Sequence, residues 1–145
     1  MEFKEKCLAK VKHPKIVCAD SGTKRQSKMT FLNAKRKEIL KIHVDGCQIT
    51  DNNTLKCDFL VIREEERLEC YVELKGQDVM HAVEQIENTI KLLSKDEKKQ
   101  LKYAFVIFSS RNPKTSAQLQ NIKKKFKKSY NCKLIFQKKQ GEFAL

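Results

Sequence analysis

Three residues of the chain, Asp58, Glu73 and Lys75, have types and spacing that suit phosphoryl chemistry. Glu73 and Lys75 are two positions apart, so on a strand their side chains project from the same face. Asp58 heads the preceding apolar run, and a hairpin between the two runs would bring it close to them. Two carboxylates can hold Mg²⁺ or Mn²⁺, and a neighbouring ammonium can orient water or offset transition-state charge. The pattern predicts catalytic chemistry on a phosphodiester at one end of a sheet.

A fourth polar residue, Gln85, lies on the segment that follows. Its neighbours Val79, Val83, Ile86 and Ile90 recur at three- and four-residue intervals, which is the period of an amphipathic helix. The amide of Gln85 borders this apolar stripe and can reach over the sheet end towards the same water or phosphate. We therefore include Gln85 in the predicted catalytic set.

The elements that must position these residues form an α/β pattern. A strand of period two is predicted in EILKIHVDGCQI, and two more strands are predicted in CDFLVI and LECYVELK, joined by the charged loop REEER. A helix capped by Asp78 follows, then a buried strand in KYAFVIF, a second helix opened by Asn112 and Pro113, and a last strand in CKLIF. The predicted fold is a mixed sheet of order βββαβαβ flanked by helices.

The length of 145 residues suits a single domain. Residues 31–145 carry the regular pattern and are predicted to form that domain. Residues 1–30 are basic and weakly periodic, with a possible short strand in IVCA, and are predicted to form an N-terminal arm.

The formal net charge of +13 predicts a polyanionic partner, with nucleic acid the commonest kind. No apolar run approaches the roughly 20 residues that span a bilayer, so no membrane partner is expected. Two basic clusters are candidates for contacts along a phosphate backbone. Their members are Lys24, Arg25 and Lys28 near the N-terminus and Lys123, Lys124, Lys125, Lys127 and Lys128 near the C-terminus.

The six cysteines are widely spaced, contain no CxxC pair and fall mostly within apolar blocks. This spacing differs from that of disulfide frameworks and zinc ribbons. We predict buried, reduced thiols. With no signal-peptide stretch at the start of the chain, a cytoplasmic location is expected.

The order of Asp58, then Glu73-Leu74-Lys75, then Gln85 on a helix resembles the PD-(D/E)xK superfamily of restriction-endonuclease-like nucleases. The resemblance covers about residues 38 to 110 and extends to small uncharacterised bacterial proteins of the superfamily. It implies a Mg²⁺-dependent nuclease, with DNA as the substrate by analogy. Asp58 and Glu73 would be metal ligands, Lys75 the catalytic lysine and Gln85 a supporting helix residue.

Two positions depart from the superfamily pattern. Cys57 stands where the motif usually has proline before the aspartate. The acidic residue that usually lies about twenty positions upstream has two candidates, Glu38 and Asp45. Glu38 borders a predicted strand rather than a helix, and Asp45 precedes a glycine in a dipeptide typical of turns.

Two other functions remain open for the same fold. The chain could be a catalytically inactive nucleic-acid-binding module, or it could be a protein-assembly module in which Asp58, Glu73 and Lys75 form only an ion-pair cluster. It could also act as a homodimer or as a subunit of a larger complex.

Overall fold

The computed structural model describes residues 3–19, 27–74, 78–109 and 115–145. Within these ranges the chain forms a six-stranded mixed sheet, a three-stranded sheet and two α-helices, so the predicted α/β class is confirmed. In chain order the elements are a 3-10 helix at Glu5–Cys7, β1 Leu8–Val11, β2 Lys15–Ala19, β3 Lys28–Leu32, β4 Ile39–His43, β5 Phe59–Arg63, β6 Leu68–Leu74, α1 Val79–Leu93, β7 Lys102–Phe108, α2 Ser116–Tyr130, β8 Cys132–Lys138 and β9 Gln140–Ala144. The described order is longer than βββαβαβ, because β1, β2 and β3 precede that series and β9 follows it.

The six-stranded sheet has the strand order β1-β4-β5-β6-β7-β8. Strands β1, β4, β5 and β6 are antiparallel neighbours, whereas β6, β7 and β8 run parallel. Helix α1 connects β6 to β7 and α2 connects β7 to β8, because parallel neighbours need a long crossover. The sheet is therefore antiparallel on one side and connected by helices on the other.

Each face of the large sheet is covered by a different layer. On one face Tyr71 of β6 packs with Ile86 of α1 and Phe126 of α2. On the opposite face Phe105 of β7 packs with Phe31 of β3. The predicted flanking by helices is therefore correct for one face, and the three-stranded sheet of order β2-β3-β9 covers the other. Strands β5 and β6 are buried from both sides, which explains their nearly continuous apolar sequences.

Helix α1 begins where the sequence predicts. The Oδ1 atom of Asp78 accepts a hydrogen bond of 3.0 Å from the N–H of His81, which is the geometry of an N-cap. Helix α2 begins at Ser116 because the cap is Thr115, which forms a capping box with Gln118. Asn112 and Pro113, which were expected to open this helix, lie outside the described residues.

No helix in the described parts of the chain is long and apolar enough to cross a membrane.

Much of residues 1–30, which the sequence suggested as a basic arm, contributes strands to both sheets. Strand β1 pairs with β4, with Leu8 opposite Ile42. Strand β2 pairs with β3, and β3 pairs in parallel with β9, with Phe31 opposite Phe143. The described part of this segment is therefore built into the domain.

A buried pair of charged residues lies at the opposite end of β6 from Glu73. Glu69 and Lys102 are opposite each other in the β6–β7 register, and both are fully buried. Glu69 accepts a hydrogen bond of 2.7 Å from Ser94 Oγ. Lys102 Nζ donates to four backbone carbonyls within 2.9 Å, those of Asp96, Glu97, Gln100 and Tyr130. This end of the sheet is fixed by satisfied polar contacts.

The cysteines divide into one disulfide and four thiols. Cys7 and Cys47 form a disulfide, so the prediction of reduced cysteines is wrong for this pair. The pairing follows from the fold, since β1 lies beside β4 and the loop after β4 therefore returns to the start of β1. The other four are free and buried, as predicted: Cys18, Cys57, Cys70 and Cys132.

Candidate active site at the end of β5 and β6

Asp58 and Glu73 lie side by side where β5 begins and β6 ends. The register pairs Phe59 with Val72, which places the preceding Asp58 beside Glu73. The N–H of Asp58 donates to the carbonyl of Val72 at 3.1 Å, and the N–H of Leu74 donates to Asp58 Oδ2 at 2.8 Å. Glu73 is 1% exposed, and Asp58 is half-buried. The structure thus brings the two predicted carboxylates together.

Helix α1 holds the segment that leads into Asp58. Three polar side chains on one face of the helix bond to three successive residues before Asp58, and each bond is 3.0 Å or shorter. Side-chain bonds to backbone groups fix a loop that has no ladder of its own. The bonded pairs are Gln85 Nε2 with the carbonyl of Lys56, Thr89 Oγ1 with the N–H of Cys57, and Asn88 Nδ2 with the carbonyl of Leu55.

Cys57 occupies the place of the usual proline, and its surroundings explain the departure. Its N–H donates to Thr89 Oγ1 at 2.8 Å, a bond that proline could not make. The thiol is fully buried, and burial together with the charge of Glu73 raises its pKa well above the usual range. Asp58 acts on this pKa in the same direction, so both carboxylates lie near the thiol.

Gln85 has one amide atom that is bonded and one that is not. The side chain is 8% exposed, and its Nε2 donates to Lys56 as described. Its Oε1 is buried and has no hydrogen-bond partner among the residues that the structure describes. A buried acceptor left in this state costs roughly 1–3 kcal/mol. A bound water or ligand with an N–H or O–H group would remove that cost.

The donors at this end of the sheet suit a small hard cation. Asp58 and Glu73 supply carboxylate oxygens, and Mg²⁺ is commonly held by one or two carboxylates together with waters and substrate phosphates. Across the described ranges, no group of three or more His, Cys, Asp or Glu side chains is placed to hold a metal ion. Lys75, the predicted catalytic lysine, lies outside the described residues.

Glu38 lies at the wrong end of the sheet to join this site. It precedes Ile39, which pairs with Arg63, whereas Asp58 precedes the opposite end of β5. About five residues of strand lie between Asp58 and Arg63, which corresponds to roughly 16 Å. The register therefore places Glu38 at the far end of the sheet from Asp58 and Glu73.

Asp45 lies at the correct end but is engaged elsewhere. Its N–H donates to the carbonyl of Asp58 at 3.4 Å, while its half-exposed carboxylate lies 3.9 Å from Lys56 Nζ. The following Gly46 has a φ of +81°, as the turn predicted from the Asp-Gly pair requires. Asp45 therefore borders the site through its backbone.

The predicted basic residues near the N-terminus are only partly described. Lys24 and Arg25 lie outside the described residues. Lys28 begins β3, and its side chain lines the outer surface of the three-stranded sheet together with Lys15. Lys28 is thus on a different layer from Asp58 and Glu73.

The predicted basic residues of α2 do not act as one group. Lys123, Lys124 and Lys127 line a groove of about 380 Å³ between α2 and β8. Lys125 instead lies 3.3 Å from the carboxylate of Glu87, and Lys128 is exposed. The groove retains a run of positive charge that an anionic partner could use.

A basic pocket beside Asp58 was not predicted from the sequence. Its volume is about 250 Å³, and its lining includes Lys6, Lys41, His43 and Phe59. Lys41 and His43 are two positions apart on β4, so their side chains project from one face, as the period of two predicted for EILKIHVDGCQI requires. The pocket is also lined by Leu8 and Ala9 at the start of β1. This strand has only four residues and no clear periodicity, so the sequence gives no signal for it.

No family model matches the chain, and no curated protein or solved structure matches it either. The resemblance to the PD-(D/E)xK superfamily therefore stays a prediction from the sequence.

Proposed function

We propose that this protein is a PD-(D/E)xK-type nuclease with a restriction-endonuclease-like fold, which hydrolyses phosphodiester bonds in DNA with Mg²⁺ or Mn²⁺. The observation that carries the proposal is the position of Asp58 beside Glu73, with Gln85 bonded to the segment before Asp58. These three residues come from separate elements and are the described members of the predicted catalytic set. The choice of DNA over RNA follows the superfamily.

The residues present fit the metal that this chemistry needs. Asp58 and Glu73 would hold the ion, which when bound would polarise the phosphoryl oxygen and lower the pKa of an attacking water. An all-oxygen donor set favours Mg²⁺ and Mn²⁺ over softer metals.

The chain's own residues have separate tasks in this proposal. The N–H of Leu74 holds the Asp58 carboxylate in one orientation. The carboxylate therefore loses little conformational entropy when a ligand binds. Gln85 Oε1 would accept a hydrogen bond from the attacking water. Lys75 would orient that water or offset negative charge in the transition state.

The test is an incubation with plasmid, linear, branched and single-stranded DNA and with RNA, in Mg²⁺, Mn²⁺ or EDTA. We expect cleavage of at least one DNA substrate with either metal and none in EDTA. Binding without cleavage under all metal conditions would contradict the nuclease and favour the inactive nucleic-acid-binding module. Neither binding nor cleavage would favour the protein-assembly module.

The same preparation can be tested for self-association by light scattering. A single active centre cuts one strand at a time, so breaks in both strands at once would favour a homodimer or a larger complex. Nicking by a monomer would favour an enzyme that acts alone.

A further inference from the structure

The basic pocket lies directly beside the proposed active site. Phe59, which lines the pocket, is the residue after Asp58, and it pairs with His43 across the β4–β5 ladder. Lys41 and Asp58 both act on the pKa of the buried Cys18 thiol, which burial raises to about 12. Phe59 belongs to the core beneath the three-stranded sheet together with Val72 and Leu74, so the pocket and Glu73 lie on opposite faces of the large sheet and meet at the strand end that carries Asp58.

The side chains of the pocket are held in place by contacts within the protein. The His43 ring stacks on Phe59 with the ring centroids 5.2 Å apart, and Lys41 Nζ lies 5.3 Å from the Phe59 centroid. Lys41 Nζ also donates to the carbonyl of Val17 at 2.6 Å. The side chains of Lys41 and His43, which can both contact an anion, are therefore ordered before a ligand binds. This order lowers the entropy cost of binding.

A disulfide fixes the remaining wall. Cys7 lines the pocket next to Lys6, and its bond to Cys47 attaches this wall to the loop that follows β4. Lys4 strengthens the attachment, since its N–H donates to Gln48 Oε1 at 2.8 Å. The exposed Lys6 side chain is therefore presented from a fixed segment.

The charge and the volume of the pocket suit an anion the size of a nucleotide phosphate. Lys6 and Lys41 line it, and no acidic side chain does so among the residues that the structure describes. Its volume of about 250 Å³ is roughly eight times the space that one water takes in the liquid. A phosphate with part of its sugar fits this volume, and the two lysines suit its charge.

We propose that the basic pocket formed by Lys6, Lys41, His43 and Phe59 binds a phosphodiester group of the strand whose neighbouring bond lies at Asp58 and Glu73. This inference rests on the proposed nuclease function and assigns a strand-positioning subsite to it. The lysines contact the backbone phosphate, and the exposed His43 lies on Phe59 where it can contact phosphate or sugar.

The test is the salt dependence of binding to a labelled DNA oligonucleotide of random sequence in EDTA. The affinity falls as salt rises, and each lost phosphate contact reduces the magnitude of the slope of log affinity against log salt concentration by about 1. We expect a reduction of about 1 for Lys6→Gln and for Lys41→Gln, and of about 2 for the double variant. Lys6→Gln keeps the test valid if Lys41→Gln destabilises the fold, because Lys6 is exposed.

The matched control is Lys99→Gln, which removes the same charge from an exposed position near the opposite end of β6. Its slope should equal that of the wild type. An unchanged slope in Lys6→Gln and in the folded double variant, in a protein that cleaves DNA, would overturn the subsite and leave the nuclease proposal intact. A reduced slope in a protein that never cleaves would overturn the nuclease proposal and support a phosphate site alone.

Discussion

The carboxylate of Asp58 accepts a hydrogen bond of 2.8 Å from the backbone N–H of Leu74. This bond joins the start of β5 to the end of β6, one residue after Glu73. A hydrogen bond to a charged acceptor is stronger than one between neutral groups and fixes the orientation of the carboxylate. The proposed metal site therefore has one ligand whose position is set by the sheet itself.

We predict that Mg²⁺ raises the melting temperature of the wild type and that Asp58→Asn removes this effect. Asparagine keeps an oxygen for the Leu74 N–H but lacks the negative charge that holds a cation. A ligand at 100 times its dissociation constant stabilises a protein by about 2.7 kcal/mol, which thermal unfolding detects.

The control for this prediction is Asp51→Asn. Asp51 is a carboxylate in an exposed turn, where it accepts a hydrogen bond from Asn53. Its variant should keep the Mg²⁺ effect of the wild type. An equal Mg²⁺ effect in Asp58→Asn would rule out Asp58 as a metal ligand.

Gln85→Met should lower the cleavage rate strongly and the stability only slightly, because the substitution removes one hydrogen bond but also removes the buried Oε1 that has no partner among the described residues. The carbonyl of Lys56 loses its donor, which costs about 1 kcal/mol of unfolding free energy, and the removal of Oε1 offsets part of this cost. If Gln85 Oε1 positions the attacking water, the cleavage rate should fall roughly tenfold or more. Urea unfolding and single-turnover kinetics measure the two effects separately.

Asn88→Ala is the matched control for Gln85, since Asn88 bonds the carbonyl of Leu55 from the same helix. It should lower stability by a similar or smaller amount and leave the cleavage rate unchanged. Equal cleavage rates in the two variants would show that Gln85 has only a structural role.

The disulfide between Cys7 and Cys47 should contribute strongly to stability. Its two cysteines are 40 positions apart, and a loop of this length corresponds to about 4 kcal/mol in the chain-entropy model. The double variant Cys7→Ser/Cys47→Ser should lose up to that amount in urea unfolding. Thiol titration of the unfolded protein should give four thiols without reductant and six with it. Six thiols without reductant would disprove the bond.

The buried thiols predict a loss of stability at alkaline pH. Burial raises the pKa of Cys18 and of Cys132 from 9.0 to about 12. Above pH 9 the unfolded chain releases thiol protons that the folded chain retains, so the unfolding free energy falls as the pH rises towards 12. Each such thiol contributes up to about 1.4 kcal/mol per pH unit.

Cys18→Ala provides the check on this pH dependence. Its unfolding free energy should fall less steeply than that of the wild type between pH 9 and 11. Lys102 acts in the opposite direction, because burial lowers its pKa below 10.5, but it is a single group and is present in both proteins. Identical slopes would contradict the assignment to Cys18.

The elements near the site could be predicted because their signals are local. The alternation in β4 and the three- and four-residue spacing in α1 depend on which face is buried, and that information lies in consecutive residues. Strand β9 has no such signal. Its sequence QGEFA becomes a strand because it pairs in parallel with β3, more than a hundred residues earlier in the chain.

The side chains were harder to predict than the strands. Lys102 opens a buried strand, and its charge suggests exposure, yet it is fully buried because four carbonyls surround its ammonium. The Cys7–Cys47 bond depends on β1 lying beside β4, which no pattern in Leu8–Val11 indicates. Glu38 had the right spacing from Asp58 along the chain, but the antiparallel register carries it to the far end of the sheet.

The most direct test of the proposed function is the Mg²⁺-dependent cleavage rate of Glu73→Gln, measured beside Glu65→Gln. Glutamine matches the shape of Glu73 but lacks its charge, while Glu65 is an exposed residue of the β5–β6 loop. We predict that Glu73→Gln binds DNA in EDTA as the wild type does but cleaves it at least roughly 100-fold more slowly. Glu65→Gln should cleave at the wild-type rate. Cleavage by a folded Glu73→Gln at the wild-type rate would contradict a site built on Asp58 and Glu73.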